Sequence, residues 1–135
     1  MTNTVTLTEQ SNKWREAEVI ISNIDTTRGG DIVILIYQKD GFPKDHAKAL
    51  KRYKIVPKNK TQTLQINIPK GAFAIKVHHD QLKLNKVRKN WTRILPADGL
   101  GFSAGAKIRF GPPSFNAAKI QQPKNGKIKI TMVYP

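Results

Sequence analysis

The sequence predicts an all-β protein, built as an antiparallel β-sandwich. Three observations predict it: short runs rich in β-branched residues, Gly, Pro and Asn turn signals between them, and helical character confined to one stretch near 45–53. At 135 residues the chain suits a single domain over 1–135, long enough to bury a core and too short for two ordinary domains. Residues 1–15 read as a loosely ordered N-terminal segment or an edge strand.

Residues 16–24, EAEVIISNI, are β-branched and apolar and end in a turn-rich stretch at 25–30. Residues 31–37, DIVILIY, form a near-continuous apolar run, the mark of a central strand covered on both faces. Gly29-Gly30 between these runs predicts a hairpin connection. Residues 45–53, DHAKALKRY, follow Pro43 and hold good helix formers, which predicts a short helix. From 61 to 68 the pattern alternates, with Leu64, Ile66 and Ile68 on one face and Thr63, Gln65 and Asn67 on the other. Pro69-Lys70-Gly71 turns the chain, and 72–79 resumes as a strand with Phe73, Ile75 and Val77 pointing together. The stretch 81–113 is long and irregular, and loops of that length often carry function. Residues 119–122 read as a short strand. Asn125-Gly126 then feeds a last alternating strand, with Ile128, Ile130 and Met132 inward and Lys127, Lys129 and Thr131 outward.

Charge dominates the composition: 24 Lys and Arg stand against 9 Asp and Glu, a formal +15, with an isoelectric point near 10.3. Such a field attracts polyanions and carries no information about fold. Lys outnumbers Arg by 18 to 6, which favours diffuse point-charge attraction over bidentate recognition of phosphate or guanine. Cys is absent, so disulfides and thiolate metal sites are excluded. No apolar run approaches the roughly 20 residues of a spanning helix. Residues 1–10 are polar and lack a signal-peptide layout, so the residues alone fit a cytoplasmic protein or one whose leader has been removed.

Three segments carry a likeness. Phe73-Ala74-Ile75-Lys76-Val77-His78-His79-Asp80, then Gly99-Leu100-Gly101-Phe102-Ser103, then Arg109-Phe110-Gly111-Pro112-Pro113-Ser114-Phe115 resemble a bacterial domain-of-unknown-function family. Its members carry HDENGNGKLD-, GFSNN- and GPPSF-type segments. The likeness spans about 16–134 and implies a transthyretin-like (prealbumin-like) sandwich, of the same broad form as an immunoglobulin-like one. It also implies a secreted or periplasmic location, and no particular activity. Within it His79, Asp80, Gly101, Phe102, Ser103, Gly111, Pro112 and Pro113 are expected to be structural. The family's acidic loop suits a hard cation such as calcium. Here Leu82 and Leu84 replace oxygen donors and Arg88 replaces an acid, so no calcium site and no other metal site is expected.

Other chemistry finds little support. Gly101-Phe102-Ser103-Ala104-Gly105 matches G-x-S-x-G, but a nucleophile elbow needs a parallel sheet and a His after the Ser. His46, His78 and His79 all precede Ser103. Successive strand residues face opposite ways, so His78 and His79 cannot share a site while the strand is regular. Of the two, His79 follows the inward set and is expected to orient the adjoining loop through a hydrogen bond. Glu16 and Glu18 are the one pair of acids at i, i+2, and no phosphate-binding glycine loop is present.

Two basic clusters stand out. Lys44, Lys48, Lys51 and Arg52 would share one face of a helix. Lys83, Lys86, Arg88, Lys89 and Arg93 surround Trp91 in the long loop, where Trp91 either plugs the sandwich end or offers a stacking surface. Basic residues interleaved with aromatics fit single-stranded nucleic acid and anionic glycans alike, and also fit a merely solubilising face. The reading that follows is a non-catalytic binding or structural module without a cofactor, its partner an anionic membrane surface or polymer. For an exported protein, that means outer-membrane glycolipid or anionic polysaccharide. The alternatives are a cytoplasmic nucleic-acid-binding protein and, far behind, a hydrolase using Ser103. Exposed sandwich edges leave the oligomeric state open.

Overall fold

A β-branched residue at every second position is buried efficiently only when the chain is extended against a second layer. The computed structural model describes residues 14–87, 97–109 and 111–135. In it the first two apolar runs are strands β1 (Trp14–Ser22) and β2 (Asp31–Tyr37), followed by β3 (Lys51–Ile55), β4 (Gln62–Pro69) and β5 (Ala74–Asp80). After these come β6 (Gly99–Phe102), a single helical turn α1 (Phe115–Ala118) and β7 (Lys127–Thr131). They form two sheets, a three-stranded one in the order β4-β1-β7 and a four-stranded one in the order β3-β2-β5-β6. Between the sheets lies one core. Ala17, Val19, Ile21, Ile66, Ile68, Ile128 and Ile130 come from one side, and Ile32, Ile34, Ile36, Ile75 and Val77 from the other. The all-β sandwich is as expected.

Several details differ from expectation, each for a tertiary reason. β1 and β2 are not a hairpin, because both edges of each are occupied by other strands and the two lie in different sheets. The turn at 25–30 crosses the end of the sandwich instead. Asp25 holds it by accepting from Thr27 N (3.0 Å), Thr27 Oγ1 (2.6 Å) and Arg28 Nε (2.8 Å). Gly29 and Gly30 follow at positive φ, and a side chain at Gly30 would collide with the backbone of Asp80 and Gln81. The sheets are also not wholly antiparallel, since β1 runs parallel to β7.

The helix expected at 45–53 is reduced to one 3₁₀ turn at His46–Lys48, capped by the Asp45 carboxylate on Ala47 N (3.1 Å). Leu50 N donates to Ile36 O at 2.7 Å, and the chain then zips onto β2 with Tyr53 opposite Ile34. Pairing with the free edge of β2 and burial of Tyr53 and Ile55 against the core override local helix propensity. Lys44, Lys48, Lys51 and Arg52 therefore share no helical face. The strand expected at 119–122 amounts to one bridge, Phe73 with Ile120.

The irregular stretch conceals β6, whose Gly-Leu-Gly-Phe sequence has low strand propensity. Both glycines are required by packing. A methyl group at Gly99 would strike the Tyr134 ring, and one at Gly101 would meet Ile130 Cγ2 at 2.8 Å and Thr131 O at 3.0 Å. These approaches let the segment after β7 close on β6 through the Leu100–Val133 bridge. Gly99→Ala is expected to destabilise the protein by about 1–3 kcal/mol through overpacking. Gly111→Ala, at a position with open space around it, is expected to change stability by less than about 0.5 kcal/mol. Urea denaturation of the two variants checks the contrast.

Candidate functional site

Alternation along β5 sends Ile75 and Val77 into the sandwich core, so Lys76, His78 and Asp80 point to the opposite face of the four-stranded sheet. That outer face is not open to water. Val33, Leu35 and Tyr37 on it are covered by Phe42 and Ala49. Phe42 meets the rings of Tyr37, Phe102 and Phe115 edge-on at 5.4–6.1 Å between centroids. Lys76 is consequently only 4% exposed and His78 0%, and buried polar groups of this kind must find partners.

The Lys76 ammonium donates to Pro43 O at 2.8 Å and to His46 Nε2 at 2.9 Å. The His46 tautomer follows from its other contact. Nδ1 lies 3.1 Å from Asn85 O, which can only accept, so Nδ1 carries the proton and Nε2 receives the lysine N–H. Burial lowers the Lys76 pKa from 10.5 to about 8, which leaves it mostly charged at neutral pH. Burial, then the charge of Lys76, lowers His46 to about 4. His78 Nε2 donates to Asp98 Oδ2 at 2.9 Å. Its pKa is lowered by burial, against the raising effect of Asp98, so the ring is neutral near pH 7. His78 Nδ1 is buried without a hydrogen-bond partner among the described residues. Asp80 uses both oxygens to hold the next turn, accepting from Leu84 N (2.9 Å) and Asn85 N (2.8 Å).

Lys76 and His46 stand in the wall of a cavity of about 600 Å³. It is lined as well by Lys44 and Lys86, one from each basic cluster, and by the apolar Leu100, Phe102, Ile108 and Pro112. Of the other predicted site residues, Lys83 lies exposed beside Leu82 and Leu84, which are 58% and 46% exposed. Lys48 is within 3.4 Å of Asp40, Lys51 lies 4.6 Å from the centre of the Trp14 ring, and Arg52 donates to His46 O. Arg88, Lys89, Trp91 and Arg93 lie outside the described residues. The structure thus joins parts of the two clusters through Lys76, which sequence reading missed. The signal was there: a lysine inside the strand Ala74–Asp80, at a position whose i−2 neighbour is Ala and whose i+2 neighbour is His.

The family-motif residues have definite positions. His79 faces the opposite way from His78. Its Nε2 donates to Gly29 O (2.6 Å), and its Nδ1 accepts from the Tyr134 hydroxyl (2.7 Å), which in turn accepts from Asp25 N. Ser103 Oγ accepts from Ile75 N (2.9 Å) and donates to Ala118 O (2.6 Å), and the residue is fully buried. It ties β5 to α1 and has no histidine among these partners. Pro113 is buried, Gly111 and Pro112 are exposed, and Gly101 and Phe102 sit in β6. Ser114, just after them, caps α1 on Ala117 N at 3.1 Å.

Fold and site together define a two-sheet β-sandwich domain with a basic, partly apolar cavity on the outer face of one sheet. The chain belongs to a bacterial family, described as "Uncharacterized protein conserved in bacteria (DUF2141)", whose model matches residues 19–131. No curated protein and no solved structure matches it. Among the described residues no helix is long and apolar enough to cross a membrane.

The lowered histidine pKa values have a consequence for stability. Unfolded histidine titrates near 6.5 and folded His46 near 4, so between these values the unfolded chain binds more protons. Stability is therefore full above about pH 6.5 and is expected to fall as pH drops toward 4. Denaturation midpoints at pH 7 and pH 4.5 test this, and His46→Gln should flatten part of the slope.

Proposed function

We propose that this domain is a non-catalytic binding module for an anionic amphiphile, a charged headgroup on an apolar body, seated in the cavity beside Lys76. The single observation that carries the reading is the buried Lys76 ammonium at the wall of a cavity that is lined both by lysines, Lys44 and Lys86, and by the apolar Leu100, Phe102, Ile108 and Pro112. Two of its three N–H groups are engaged by Pro43 O and His46 Nε2, which leaves one for a ligand oxygen. An anion near a half-dry ammonium is held more strongly than at the surface. The apolar wall favours a lipid-borne phosphate or carboxylate over a wholly polar polymer. Exposed Leu82 and Leu84, with Lys83 between them and Lys86 two residues further on, suit the same reading, since leucine can enter an acyl layer while lysine meets anionic headgroups. A transthyretin-like sandwich exported to the periplasm, facing phosphorylated glycolipid, is the setting we infer from the sequence likeness.

The experiment is binding to phosphatidylglycerol-containing vesicles, lipopolysaccharide, heparin and single-stranded DNA across a salt series. The amphiphiles are expected to bind more tightly than heparin or DNA. Lys76→Met should weaken that binding about tenfold or more while keeping the fold, because an apolar chain of similar length replaces a buried charge. Lys86→Glu should weaken it and reduce its salt dependence. Affinity should also fall as pH rises through about 8, where Lys76 loses its proton. Equal weak binding to every polyanion, or tightest binding to DNA, contradicts the reading.

A further inference from the structure

We propose, building on the anionic-amphiphile reading of Lys76, that a second and smaller cavity beside β6 receives the far end of the ligand's alkyl chain. β6 is the last strand of its sheet, so β5 is its one full strand partner. On its other edge it meets the segment after β7 through the single bridge Leu100–Val133. There lies a cavity of about 290 Å³, walled in part by Leu100, Phe102, Ala106, Ile108, Val133 and Tyr134. Of the charged groups that also line it, Lys107 is exposed and the Asp98 carboxylate accepts from His78.

Three residues stand in the walls of both cavities: Leu100, Phe102 and Ile108. The two spaces therefore adjoin, and what they share is apolar. Strand register puts the anion site next to that shared wall. Lys76 stands directly opposite Phe102 in the β5–β6 ladder, and His78 opposite Leu100. Such cross-strand neighbours share a face, with Cβ atoms about 4.5–5.5 Å apart. A chain leaving an anionic head at the Lys76 ammonium thus meets Phe102 first, and Phe102 borders the second cavity.

Val133 is an independent sign of an occupant. Its backbone is fixed to Leu100 by hydrogen bonds of 2.8 and 2.9 Å, yet the residue is 58% exposed. An apolar side chain held at the wall of a cavity gains burial when an alkyl chain enters. A wholly polar polymer would gain nothing from these walls. The ligand class that follows is an anionic head on an alkyl chain long enough to pass Phe102, with affinity set by chain length.

The test is calorimetry of the full-length protein with n-alkyl phosphates from butyl to dodecyl, each below its micelle threshold. Affinity is expected to rise about two- to fourfold per added methylene. Ala106 lines the second cavity and not the first. Ala106→Phe should therefore flatten the long-chain part of the series and cut the affinity for dodecyl phosphate about tenfold or more. Lys76→Met should lower the whole series and keep its slope, so that loss of the head site and loss of the tail site are told apart. Should Ala106→Phe fail to fold, the wild-type protein still decides the matter. A nitroxide at the methyl end of dodecyl phosphate should broaden the amide NMR signals of Ala106 and Val133 more than those of Lys44 and Asn85. Equal affinity at every chain length overturns the tail site and leaves the head site at Lys76 standing. So does a chain-length gain that survives Ala106→Phe, or broadening centred on Lys44 and Asn85. Absence of binding at every length overturns both.

Discussion

The structure depends on one constraint: the two central strands of the four-stranded sheet, β2 and β5, are buried on both faces. All seven residues of β2 and all seven of β5 are buried, so neither strand can hide its apolar residues and leave the polar ones in water. β2 meets the constraint with an almost wholly apolar sequence. β5 does not, because every second residue from Lys76 onward on its outer face is ionisable. The covering layer of residues 41–49 and α1, with the residue that leads into β6, therefore has to provide backbone carbonyls, rings and carboxylates as well as shape. Pro43 O, His46 and Asp98 are what it provides. Ser103 fastens the layer by bonding to the backbone of both β5 and α1.

The same constraint organises the electrostatics. A chain of +15 displays most of its lysines to solvent, where they set up a long-range field without specific geometry. Beneath the covering layer the sign changes from one strand position to the next. Lys76 lies toward the basic cavity, and His78, Asp80 and Asp98 lie toward the acidic patch at the other end of β5.

Much of the fold was legible in the residues because hydrophobic alternation reports directly on which face is buried. Leu64, Ile66 and Ile68 in β4, and Ile128 and Ile130 in β7, face inward as their spacing requires. What could not be read was set by contacts distant in sequence. Local propensity favoured a helix at 45–53, and the free edge of β2 made part of it a strand. The glycines of β6 looked like loop residues because the Tyr134 ring that requires Gly99 arrives 35 positions later. In the site, the surface lysines were visible as clusters and Lys44 and Lys86 proved to share a cavity. Lys76 and Asp98 were overlooked for opposite reasons. Lys76 was hidden within a strand read only for its apolar face, and Asp98 followed a loop with no pattern to place it beside His78.

The account rests centrally on Lys76 being a buried, charged group that faces a ligand cavity. The most direct test is to follow the Lys76 side-chain Cε resonance by NMR through a pH titration, first alone and then with a short-chain anionic phospholipid. A midpoint near 8 in the free protein, moving upward when the lipid is added, is the predicted result. A midpoint near the ordinary lysine value of about 10.5, or one that does not respond to the lipid, would contradict it.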